Sequence, residues 1–179
     1  MAMEVVKVYL EHFPALRFIG TRYTNEDRKD GGFGEQWGEW NAEKRFDSMK
    51  KAVGVAPYIE DTIGLMTMRS DTTGFTYWIG LFFPAGTNAP DGYDHLDLPE
   101  SNIGAGWVRG SNASGEIFGA PPHEAVCKKL DDDGVGKFRN DVAGPGSDTY
   151  CFYERYNDER FGTEDENGNV ILDYGNYFV

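Results

Sequence analysis

Strand-like and helix-like periodicities alternate at the start of the chain. Residues 5–13 mix β-branched and aromatic side chains with polar ones in rough alternation, and the pattern resumes at 16–20 after Pro14. Because proline cannot donate to a strand ladder, these two runs predict a first strand with a break or bulge. The stretch 33–53 has helical spacing, contains no proline and ends before Gly54, so it predicts the first helix.

The same order of elements then repeats. Runs 62–68 and 75–83 are rich in β-forming residues and flank a polar segment that contains glycine, which predicts two antiparallel strands. The later pattern predicts strands 93–98 and 103–108, a helix over 122–133, and strands 149–156 and 170–174. Strand, helix, strand, strand thus occurs twice at about 80 residues per unit. This order predicts a single α+β domain over 1–179 with pseudo-repeats 5–83 and 93–174.

The first predicted helix has two apolar sides. At about 100° per residue, one side carries Phe33, Trp37 and Trp40, and the other carries Ala42, Phe46, Met49 and Val53. If the longer stripe packs on the sheet, Trp37 and Trp40 point toward a cleft or a partner. If the helix begins irregularly or kinks, both sets belong to the core. The pattern leaves both interpretations open.

Aromatic residues are unusually frequent, with 12 Phe, 10 Tyr and 4 Trp making up 15% of the chain. Aromatic side chains dominate buried area in ordinary cores, which explains part of this excess. Tyrosine and tryptophan also suit a pocket, since each combines an apolar body with a polar group. The composition therefore allows an aromatic binding site beside the core.

Charge and motif content exclude several classes of function. The net charge of −13, with acidic segments at 131–133 and 164–166, argues against direct binding to nucleic acid. No signal-peptide pattern or apolar run of about 18 residues occurs, so we expect a cytoplasmic protein without membrane contact. Phosphate-binding glycine motifs are absent, and we expect no cofactor.

The cysteines and histidines do not predict a metal site. Cys127 and Cys151 are too few for a disulfide framework and lie in apolar surroundings, so we expect buried reduced thiols. A metal site at Cys127 with His123 is the alternative. We otherwise expect the histidines to be surface or hydrogen-bonded residues.

Four short segments, in this order, resemble the GyrI-like family. They are FTYWIG at 75–80, LPE at 98–100 ahead of 103–108, HEAVCKKL at 123–130 and FYERY at 152–156. The family also forms the effector-binding domain of some AraC-type and BmrR-type regulators, and the resemblance extends over 5–174. It implies duplicated β-α-β-β units that form one curved antiparallel sheet with two helices on one side, and a ligand cleft where the halves meet.

The resemblance also implies a ligand site centred on a strand glutamate among aromatic rings. Glu154 matches that glutamate, and strand alternation places Phe152 and Tyr156 on its face. Tyr77 matches a tyrosine of the family's first-half strand pair. Position and chemistry add further candidates for the cleft: Trp37, Trp40, Trp107 and Tyr174.

Three functions are compatible with such a site. The first is binding of small amphipathic or cationic organic molecules, because a carboxylate and aromatic faces both attract a lipophilic cation. The second is a hydrolase of strained electrophilic rings, with Glu154 as general acid or base and Tyr77 or Tyr156 assisting. The third is a role with a protein partner, such as inhibition of DNA gyrase. No helix-turn-helix pattern precedes Val5, so we expect a stand-alone module.

Overall fold

The computed structural model describes residues 2–68, 75–136 and 151–177. Its strands are β1 (Glu4–Phe13), β2 (Leu16–Thr24), β3 (Thr62–Met68), β4 (Phe75–Pro84), β5 (Asp94–Leu98), β6 (Ser101–Ser111), β7 (Cys151–Tyr156) and β8 (Asn169–Tyr177). Its α-helices are α1 (Gly34–Ala42), α2 (Arg45–Val53) and α3 (Ala120–Asp132). Each strand pairing whose register the described residues define is antiparallel, so the predicted α+β fold of antiparallel strands is confirmed.

The chain divides into two compact units, each described here by itself. Among the described residues, the first unit comprises 14–68, 75–100 and 151, and the second comprises 2–13, 101–136 and 152–177. The strands follow the order β3-β4-β2-β5 in the first unit and β1-β6-β8-β7 in the second. The bounds of the predicted pseudo-repeats stay a prediction.

The predicted first strand with a break is two separate strands. β1 pairs with β6 in the second unit, whereas β2 pairs with β4 and β5 in the first. Pro14 lies between them, and its missing N–H ends the ladder of β1. The sequence signal for an interruption was therefore correct, but the interruption separates two strands rather than bending one.

The predicted first helix is also divided. α1 ends at Ala42 and α2 begins at Arg45, because Lys44 between them adopts a left-handed conformation with φ 52° and ψ 40°. This turn lets both apolar sides become buried: Trp40 and Met49 have no exposed surface, and the Trp40 ring packs 4.7 Å from Phe46. The interpretation in which a kink lets both apolar sides join the core is therefore correct for Trp40. Trp37 is only half-buried.

In the second unit, α3 packs on one face of the sheet. The core there contains Val108, Ile117, Val126, Leu130, Val170, Leu172 and Tyr174. Gly106 makes this packing possible, since a Cβ at that position would lie 2.7 Å from Cγ1 of Val126. The register aligns Gly106 with Tyr174 and Tyr174 with Glu154, so these three residues share the face that α3 covers.

In the part of the chain that the structure describes, no helix is long and apolar enough to cross a membrane.

Candidate functional site

The candidate site is built around the buried carboxylate of Glu154 on β7. Its exposed fraction is 5%, and its backbone lies opposite Tyr174 of β8. Tyr156, two residues later on the same face, donates a hydrogen bond of 2.8 Å from its hydroxyl to Oε2 of Glu154. The hydroxyl oxygen of Tyr174 lies 3.4 Å from Oε1. The structure thus brings together the three predicted residues Glu154, Tyr156 and Tyr174.

The two tyrosines contribute unequally. The Tyr174 hydroxyl also donates to the backbone carbonyl of Ile117 at 2.7 Å. A tyrosine has one hydroxyl proton, and the shorter contact is the better placed to take it. Tyr174 therefore anchors the segment before α3, and Tyr156 is the stronger of these two donors to Glu154.

A loop after β7 places a further ring on Tyr156. Phe161 meets the Tyr156 ring edge-on, with centroids 4.8 Å apart and an interplanar angle of 89°. The loop is tied to β8 because the Ile171 amide donates to the Arg160 carbonyl at 3.0 Å, and the Arg160 guanidinium pairs with Asp173. Phe161 is a site residue that the sequence did not reveal, since its position depends on these contacts.

Phe152, also predicted for the site, packs against α3. Its ring stacks on His123 with centroids 3.8 Å apart and 14° between the planes. His123 is 7% exposed, and its Nε2 lies 2.7 Å from Oδ1 of Asn176. Asn176 in turn donates from Nδ2 to the Gly104 carbonyl at 3.0 Å, so its oxygen accepts and the Nε2 of His123 donates. Burial lowers the pKa of His123, and the hydrogen bond to Asn176 opposes this shift. The net lowering favours a neutral ring.

Cys127 lies one helical turn after His123. Its Sγ is 3.5 Å from Nε2 of His123 and 3.8 Å from Oδ1 of Asn176. Burial raises the pKa of the thiol to about 12, so the protonated form dominates at neutral pH and is a poor nucleophile. Within the described residues, no three His, Cys, Asp or Glu side chains come together as a metal site would require.

Trp107 lies apart from Glu154 within the second unit. Trp107 is opposite Asp173 of β8, and the neighbouring pair in the register is Gly106 and Tyr174. Because successive side chains point to opposite faces, Trp107 lies on the face of the sheet opposite to that of Tyr174 and Glu154. There its ring contacts two cations: the Lys7 ammonium is 3.7 Å from the ring centroid and the Arg160 guanidinium carbon is 4.5 Å away.

Tyr77, Trp37 and Trp40 belong to the first unit and form an aromatic cluster of their own. Trp37 donates from Nε1 to the Tyr77 hydroxyl at 2.8 Å, and the Tyr77 ring stacks on Phe33 at 4.3 Å. Trp40 donates from Nε1 to the Tyr23 hydroxyl at 3.1 Å. The N–H groups of these tryptophans are hydrogen-bonded to tyrosine hydroxyls, as the polar groups of buried Tyr and Trp side chains usually are.

Sequence reasoning missed Asn176 and the Ile117 carbonyl as well as Phe161. For Asn176 a signal existed, because it follows Tyr174 by two residues and strand alternation places both on one face. The partner of Tyr174 is a backbone oxygen 57 residues away, which no local pattern indicates.

Comparisons with known proteins support the fold. No family model matches the chain, and no curated protein matches it. Among solved structures, SAV2435 bound to tetraphenylphosphonium matches with a TM-score of 0.64 and 14% identity, over 96% of this chain and 93% of that one. A Staphylococcus aureus MU50 protein assigned provisionally to bacterial transcription regulation matches with a TM-score of 0.63 and 14% identity, over 96% and 97%.

A third similar structure is the C-terminal domain of EcmrR, with a TM-score of 0.53, 10% identity and 96% coverage of both chains. EcmrR in a complex with DNA matches with a TM-score of 0.54 and 9% identity, over 96% of this chain and 56% of that one. At these identities the similarity shows the fold. The chain thus shares its fold with these proteins, which agrees with the α+β architecture that the resemblance implied.

Proposed function

We propose that this protein binds small amphipathic organic cations at Glu154, as a sensing or sequestering module for drug-like molecules. The observation that carries the proposal is that Glu154, a residue that is 5% exposed, holds its carboxylate beside the hydroxyls of Tyr156 and Tyr174. A buried carboxylate is costly to keep charged, and a bound cation would offset that cost.

The surrounding rings suit a cation that is also apolar. Phe152, Tyr156 and Phe161 are half-buried, so they can border an approach to Glu154 and contact a ligand with their faces. Each cation–π contact contributes about 0.5–2 kcal/mol, and ring stacking tolerates ligands of varied shape. These properties favour a family of lipophilic cations over one specific metabolite.

The similar structures agree with this assignment. SAV2435 was obtained with tetraphenylphosphonium, a lipophilic organic cation, and EcmrR, whose C-terminal domain has a similar fold, was obtained in a complex with DNA. A net charge of −13 does not suit direct contact with DNA. We therefore propose that any regulatory effect of this cytoplasmic module passes through a protein partner.

Hydrolysis of strained electrophilic rings is the second candidate. The 2.8 Å hydrogen bond between Tyr156 and Glu154 favours it, because a carboxylate and a phenol in contact can act as base and hydrogen-bond donor. Tyr156 suits this assisting role because its hydroxyl already donates to the carboxylate, and Tyr77, whose hydroxyl accepts a hydrogen bond from Trp37 in the first unit, stays the other predicted candidate.

The test compares two probes of similar shape and opposite charge. Tetraphenylphosphonium and tetraphenylborate are titrated into the protein, and tryptophan and tyrosine fluorescence reports binding. Glu154→Gln should weaken tetraphenylphosphonium binding about tenfold or more, because a desolvated charge pair is lost, and should not weaken tetraphenylborate binding. The matched control is Glu39→Gln, since Glu39 is exposed on α1 and its change should leave both affinities unaltered.

Unchanged tetraphenylphosphonium affinity in Glu154→Gln would contradict the proposed cation site. Mass analysis after incubation with a small aryl epoxide separates the second candidate. Addition of one water that depends on Glu154 would establish hydrolysis, whereas recovery of intact epoxide together with saturable cation binding would support the binding module alone.

A further inference from the structure

Among the described residues, the first strand of the second unit is an edge strand of the sheet. β1 is the terminal strand in the order β1-β6-β8-β7, and within 2–68, 75–136 and 151–177 its pairing partner is β6. The strand is ten residues long, and two of its apolar side chains are strongly exposed, Leu10 at 52% and Val6 at 46%. Long edge strands with exposed apolar side chains are templates for pairing with another chain.

The regular part of this edge has a self-complementary pattern. The register with β6 shifts between Val5 and Lys7 and is then continuous from Lys7 to Phe13. Lys7 and Glu11 lie on one face, two positions to either side of Tyr9, and Val8 and Leu10 flank Tyr9 on the other face. Opposite charges and matched apolar side chains are therefore arranged symmetrically about Tyr9.

We propose that this edge pairs with the same edge of a second copy of the chain, giving a two-fold dimer centred on Tyr9. If the two sheets join into one continuous sheet, the two-fold axis is normal to it, and each face of one copy continues into the same face of the other. The axis then lies between the two copies of one residue, which are directly opposite each other. With the axis at Tyr9, Lys7 of each copy lies opposite Glu11 of the other, and Val8 lies opposite Leu10. Directly opposed ion pairs and apolar pairs both stabilise antiparallel strands.

The neighbouring symmetric registers are less complementary. An axis at Val8 places Lys7 opposite Tyr9, and an axis at Leu10 places Glu11 opposite Tyr9. Only the Tyr9 register joins the two opposite charges.

Both charged groups are already held on the face where they would meet. The Lys7 ammonium lies 3.7 Å from the Trp107 ring, and Oε2 of Glu11 lies 3.9 Å from the Arg155 guanidinium. An ammonium group has three donors, so Lys7 can keep its contact with Trp107 and pair with a carboxylate. Since Glu11 is partly buried, an added cation would improve the balance of charge around it.

Sedimentation across a concentration series tests the dimer and its register. Wild-type protein should show a monomer–dimer equilibrium. Lys7→Glu should raise the dimer dissociation constant about tenfold or more, since two attractive pairs become repulsive. The double variant Lys7→Glu, Glu11→Lys should restore dimerisation. Lys51→Glu is the matched control, because it makes the same charge change at an exposed position of α2 and should have no effect.

Engineered cross-linking gives an independent test. Tyr9→Cys places two thiols directly opposite each other and should yield a covalent dimer under mild oxidation. Leu10→Cys should not, because the two thiols would be offset along the strands. Wild-type protein sets the background from Cys127 and Cys151. A monomeric wild type at all concentrations, or a dimer that is insensitive to the charge exchange and cross-links equally through both positions, would overturn the proposal.

Discussion

The Tyr156 hydroxyl donates a 2.8 Å hydrogen bond to Oε2 of Glu154, the residue two positions earlier on the same strand. Replacement of Tyr156 by Phe keeps the ring against Phe161 and removes this donor from a buried carboxylate. We expect the free energy of unfolding at pH 7 to fall by about 1–3 kcal/mol, as for other hydrogen bonds to charged groups. Urea unfolding of wild type and Tyr156→Phe measures this difference in the free energy of unfolding. Tyr93→Phe, at a half-buried tyrosine of the first unit that keeps its ring against Trp40, should change the free energy of unfolding by less than about 0.5 kcal/mol, and equal losses would refute this account.

Gly106 and Gly38 should respond in opposite directions to substitution by Ala. A Cβ on Gly106 would lie 2.7 Å from Cγ1 of Val126, so Gly106→Ala pushes α3 from the sheet and should cost about 1–3 kcal/mol. Nothing lies within 4 Å of a Cβ on Gly38, and there Ala should add about 0.5–1 kcal/mol through its helix propensity. Thermal unfolding of the two variants checks that Gly106→Ala lowers the midpoint temperature and that Gly38→Ala raises it. Adding Val126→Ala to Gly106→Ala should cost less than the sum of the two single changes.

Cys127 should be unreactive in the folded protein. The residue is 7% exposed, and burial raises the pKa of its thiol to about 12, so both access and thiolate content are low. In a Cys151→Ser background, we expect reaction with a disulfide reagent at pH 8 to be on the order of a hundredfold slower in buffer than in urea. Comparable rates in buffer and in urea would show that α3 does not shield this thiol.

The sequence predicted the parts of the fold that short-range patterns determine. The strand pair 62–68 and 75–83 is confirmed as antiparallel β3 and β4, because β-forming residues flank a polar turn segment. Strand alternation also brought Glu154 and Tyr156 together correctly. A kink in the first helix was one of the two open interpretations, but its position at Lys44 was not predicted, because a lysine in a left-handed conformation has no sequence signature.

The missing parts of the site depend on contacts between distant segments. Phe161 reaches Tyr156 only because Arg160 is fixed to β8, and Tyr174 finds its partner in the Ile117 carbonyl. Trp107 was predicted to line the cleft by its chemistry, but its position in the register places it on the opposite face from Glu154. Which face a strand residue occupies follows from register, and register is fixed by the assembled sheet.

The burial of His123 should make stability depend on pH below 7. Desolvation lowers its pKa in the folded state below the ordinary value of 6.5, although its hydrogen bond to Asn176 opposes the shift. Between the lower folded pKa and 6.5, the unfolded chain binds a proton that the folded chain does not, so stability falls as the pH decreases through that interval. One such group contributes at most about 1.4 kcal/mol per pH unit.

Urea unfolding of wild type and His123→Gln between pH 5 and pH 8 isolates this contribution. The variant loses stacking on Phe152 and should be less stable at pH 8, but its stability should fall less steeply toward pH 5 than that of wild type. His95→Gln is the control, because it makes the same substitution at an exposed position of β5 and should cost little stability at pH 8. Identical slopes for wild type and His123→Gln would mean that His123 takes up its proton as readily in the folded chain as in the unfolded one, and that its ring does not stay neutral beside the Glu154 site.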